Sequence, residues 1–85
     1  MNEEKILTNI FKNLGVDFNK NAHLKKENLL GKKIGLSARD LLIAFFWIES
    51  AFNIRIMEES VVNGEFNTYE HILRVIRICQ SIENN

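Results

Sequence analysis

The stretch Gly35-Leu36-Ser37-Ala38-Arg39-Asp40-Leu41-Leu42-Ile43-Ala44-Phe45-Phe46-Trp47-Ile48-Glu49-Ser50-Ala51-Phe52-Asn53-Ile54-Arg55-Ile56 decides how this chain folds. It opens on a helix start: Ser37 can cap the first free N–H groups, and Asp40, three residues on, can reach back or complement the positive helix end. From Ala38 to Phe52 there is no Gly and no Pro, and only Arg39, Asp40, Glu49 and Ser50 are polar. The spacing predicts a helix over 38–52 that stops at the short β-branched tag ending in Ile56. At 100° per residue, Leu41, Phe45, Ile48 and Phe52 share one side, with Ala44 and Ala51 close by, and that side suffices to close a small core. The opposite arc holds Arg39, Leu42, Ile43, Phe46, Trp47 and Ser50. Four of these are large and apolar where a small monomer should be polar. Such a patch reads as an interaction site unless the neighbouring loop, or a short helix near 58–62, folds over it.

Outward from this helix, Ile6, Leu7, Ile10, Phe11 and Leu14 form a stripe that predicts a first helix over about 3–14, with Glu3 and Glu4 in its first turn and Gly15 as its stop. Residues 16–37 show no sustained period. They read as a long ordered loop pinned to the core by Leu24, by Leu29 or Leu30, and by Ile34. Beyond Ile56, residues 58–62 suit one short helical turn before the Asn63-Gly64 turn signal. Asn67 or Thr68 then caps a last helix over about 68–82, with Ile72, Val75, Ile76, Cys79 and Ile82 along its apolar face. No repeat or low-complexity tract interrupts this order.

Eighty-five residues form one small domain, 1–85, with a core too small for a deep enclosed active site. No Pro, four Gly and 46% apolar residues suit compact helices joined by loops. No charged segment leads into an apolar one at the N-terminus, and the apolar run at 41–48 is too short to cross a bilayer. No secretory signal and no membrane association are therefore expected. A single cysteine makes no internal disulfide, so the expected compartment is the cytoplasm.

The layout resembles the acyl carrier protein family, in which G-x-D-S-L-(D/E) opens the second helix and E-F-(D/N)-I-x-I follows at its end. The resemblance covers nearly the whole chain. Leu14-Gly15-Val16 is similar to the L-G-V that closes the first carrier helix. Leu30-Gly31-Lys32-Lys33-Ile34-Gly35 matches the spacing of F-x-x-D-L-G, with Leu30 and Ile34 as its apolar anchors, and Phe66-Asn67-Thr68-Tyr69-Glu70-His71-Ile72 resembles F-x-T-V-x-D-I. The resemblance implies an all-α, acyl-carrier-like four-helix bundle: three main helices, one short helix and a long first loop. Counting back from Phe52, the phosphopantetheine-bearing serine of carriers falls on Ala38, with Arg39 where Leu usually follows. Carriers are mostly acidic, whereas this chain has 11 basic and 11 acidic side chains and no net charge. It therefore lacks the usual long-range attraction to basic enzymes.

Ser37 is the candidate for modification, one residue before the expected position. The competing reading is a helix cap, and it is preferred because a one-residue shift turns the hydroxyl about 100° around the helix axis. His23 and His71 are far apart and Cys79 has no C-x-x-C or C-x-x-H partner, so neither a metal site nor a catalytic residue is expected. Lys20, Lys25, Lys26, Lys32, Lys33 and Arg39 cluster against Glu27 alone, yet only Phe18 could stack a base, so a nucleic-acid partner is disfavoured. The reading that follows is a non-enzymatic, acyl-carrier-related accessory protein. It would dock onto a biosynthetic or peptide-maturation enzyme through helix 38–52, with Arg39, Leu42, Ile43, Phe46, Trp47 and Ser50 as contacts and no cofactor. A second copy of the chain could use the same apolar face. The alternative is a working acyl or peptidyl carrier with 4'-phosphopantetheine on Ser37.

Overall fold

Asn2 begins the fold by accepting a hydrogen bond from the Lys5 amide through its side chain, at 3.1 Å. That bond satisfies one of the N–H groups a helix start leaves free, and α1 then runs over Glu3–Asn13. In this computed structural model, residues 2–56 and 66–83 are described. Two further α-helices follow, α2 over Ala38–Phe52 and α3 over Tyr69–Glu83, with a 3₁₀ helix over Ala22–Lys26. The described residues are all-helical, without a strand. The short helix expected near 58–62 lies outside them.

Gly15 ends α1 as the sequence predicts, and its φ of 97° shows why glycine stands there. The Gly15 amide reaches the Lys12 carbonyl and the Val16 amide reaches the Phe11 carbonyl, each at 3.0 Å. This pairing satisfies carbonyls that the helix end would leave open, and Val16 is buried in the same core as Phe11. At the end of α2 the left-handed residue is Asn53, φ 54°, a role Asn fills better than other non-glycine residues. The amides of Asn53 and Ile54 both reach the Glu49 carbonyl, while the Glu49 carboxylate accepts the Ile56 amide at 2.9 Å. Thr68 caps α3, its hydroxyl accepting from the His71 amide at 3.1 Å.

α1 packs on both α2 and α3, and the 3₁₀ helix packs on α3. The core joins Leu7, Ile10 and Phe11 of α1 to Leu41, Ala44, Phe45, Ile48 and Phe52 of α2, and to Tyr69, Ile72, Leu73 and Ile76 of α3. A fully buried Leu, Ile or Phe contributes about 1.5–3 kcal/mol, so this one cluster supplies most of the drive to fold. Phe11 meets Phe18 edge-on at 5.4 Å between ring centres, and Phe18 meets Tyr69 at 4.7 Å. Ala51, expected beside the core, is exposed instead.

The loop departs furthest from expectation. Leu29 is fully buried, whereas Leu30, which the carrier spacing makes an anchor, is 47% exposed. The cause is backbone pinning: the Leu29 amide donates to the Asn67 carbonyl at 2.8 Å, and its carbonyl accepts the Leu36 amide at 3.0 Å. With Leu29 held inward, Leu30 turns out. Leu24 and Ile34 pack on the core only partly, and Leu36 joins it. Phe18, the one aromatic the sequence offers for stacking a base, is fully buried. The 3₁₀ helix, for which no period signals, places Lys25 over the Tyr69 ring at 5.1 Å and within 3.1 Å of the Glu4 carboxylate.

Candidate functional site

The site is built on α2, and its geometry starts at Ser37. The Ser37 side-chain oxygen accepts from the Asp40 amide at 3.1 Å, and an Asp40 carboxylate oxygen accepts from the Ser37 amide at 3.0 Å. This reciprocal capping box is what the Ser-x-x-Asp spacing predicts. The bonds from Ser37, backbone first and side chain second, hold the Asp40 carboxyl below its ordinary 3.8, with a smaller contribution from nearby Arg39.

A box of this kind fixes how α2 begins and therefore which way its faces point. Leu41, Ala44, Phe45, Ile48 and Phe52 turn inward, as the 100° spacing predicts. On the other side Leu42 is 56%, Phe46 72% and Trp47 41% exposed. Arg39 and Ser50 are exposed at either end of this row, and Ile43 is half-buried. The structure thus brings together all six residues that the sequence places on the outer arc, with Ile43 turned partly aside.

One contributor was not expected. Leu30 leans from the loop to wall a small cleft of about 280 Å³ with Ala38, Leu41, Leu42 and Phe45. Leu29 and Leu30 are the central residues of a turn in which the Gly31 amide donates to the Asn28 carbonyl at 2.9 Å, and with Leu29 held inward Leu30 is the one that faces out. The cleft is lined by apolar residues alone and opens beside Ala38, at the head of the exposed row.

Ala38 has no oxygen that could carry a phosphopantetheine arm, and the exposed Ser37 hydroxyl accepts the Asp40 amide in the cap. His23 is exposed, His71 is half-buried near the start of α3, and Cys79 packs partly against the core. Among the described residues no three His, Cys, Asp or Glu side chains gather where they could hold a metal ion. The lysine-rich loop is partly committed to the fold, because Lys25 pairs with Glu4 and Lys33 with Glu27 at 3.0 Å. Among the described residues no helix is long and apolar enough to cross a membrane. Comparison with family models, with curated proteins and with solved structures gave no match.

Proposed function

We propose that this chain is a non-enzymatic accessory protein, related to the acyl carriers, that docks onto a biosynthetic or peptide-maturation enzyme through the outer face of α2. The observation that carries the reading is the row Leu42, Phe46 and Trp47, left exposed on a helix whose other side already closes the core. A helix needs one apolar face to fold, and a second one stabilises nothing in water until something covers it. The carrier relationship rests on motif order and spacing in the sequence, and an all-helical chain is compatible with an acyl-carrier-like bundle. The capping box supports a chain without a phosphopantetheine arm, because it gives Ser37 a structural use.

Two measurements test the proposal. The purified protein is incubated with coenzyme A and a broad-specificity phosphopantetheinyl transferase, and its intact mass is recorded. The expected result is no change. A gain of one phosphopantetheine that Ser37→Ala abolishes would establish the alternative, a working carrier. The protein and its Phe46→Ser variant are then used in parallel as bait in an extract of the source cells. A biosynthetic or maturation enzyme retained by the first and lost from the second supports docking, and equal retention by both overturns it.

A further inference from the structure

We draw no further inference here: the strongest candidate, the exposed apolar row Leu42, Phe46 and Trp47 on the outer face of α2 with the cleft that Leu30 walls beside it, belongs to the site already described, and nothing in the structure shows what covers it.

Discussion

Ser37 has one side-chain oxygen, and its part in the fold decides how it can act. As an N-cap it stabilises α2 directly, so Ser37→Ala should cost about 1 kcal/mol, whereas Ser37→Asn, which caps as well, should stay within a few tenths. Urea denaturation followed by far-ultraviolet circular dichroism distinguishes the two. Equal losses would mean that Ser37 contributes something other than a cap. The partner acid gives a second test. The Asp40 carboxyl titrates below 3.8 when folded because the ionised form accepts the Ser37 amide. Its contribution is therefore fully present above the unfolded-state value and is lost as the pH falls through the lower folded-state value. Asp40→Asn keeps an oxygen for the Ser37 amide but removes the titration. Its unfolding midpoint should accordingly fall less than that of the wild type between about pH 5 and pH 2.

Helix α2 has one side that the molecule consumes and one that it leaves exposed, and truncation should separate them. Ile48→Ala or Phe52→Ala should destabilise by about 2–5 kcal/mol, as large-to-small changes in a core do. Phe46→Ser should stay within about 1 kcal/mol, since few native contacts are lost. The check is a denaturant series on all three variants, and unfolding of Phe46→Ser would mean that its ring is buried in solution. The bounds of α2 and most of both its faces were legible in the sequence because they depend on a local cap and on a period, Ala51 being exposed and Ile43 half-buried against that reading. The loop was not. Whether Leu29 or Leu30 turned inward was decided by Asn67, a residue remote in sequence whose carbonyl takes the Leu29 amide. Leu30 entered the candidate cleft for the same reason. Phe18 was misread because a single buried aromatic in an aperiodic segment leaves no pattern, and its partners Phe11 and Tyr69 come from two different helices.

Across the whole molecule, one buried hydroxyl joins the two ends of the described fold. The Tyr69 hydroxyl donates to the Glu4 carbonyl at 3.0 Å and lies 2.8 Å from the Thr8 hydroxyl, which donates to it in turn. Tyr69→Phe strands the Thr8 hydroxyl and should cost about 1–3 kcal/mol, and adding Thr8→Val should recover part of that by removing the stranded group. A double-mutant cycle by denaturant unfolding measures the coupling. Burial also raises the Tyr69 pKa from 10.0, so stability is kept below that value and lost as the pH rises through the higher folded-state one. The Glu4–Tyr69 bond closes a span of 65 residues, and the ribosome delivers its two ends at different times. While the nascent chain still lacks α3, Phe11 and Phe18 have no Tyr69 ring to lie against and the face of α1 bearing Thr8 is open. Productive closure of this domain therefore waits for α3 to emerge, and a chain stalled before that point presents chaperones with an unfinished aromatic surface.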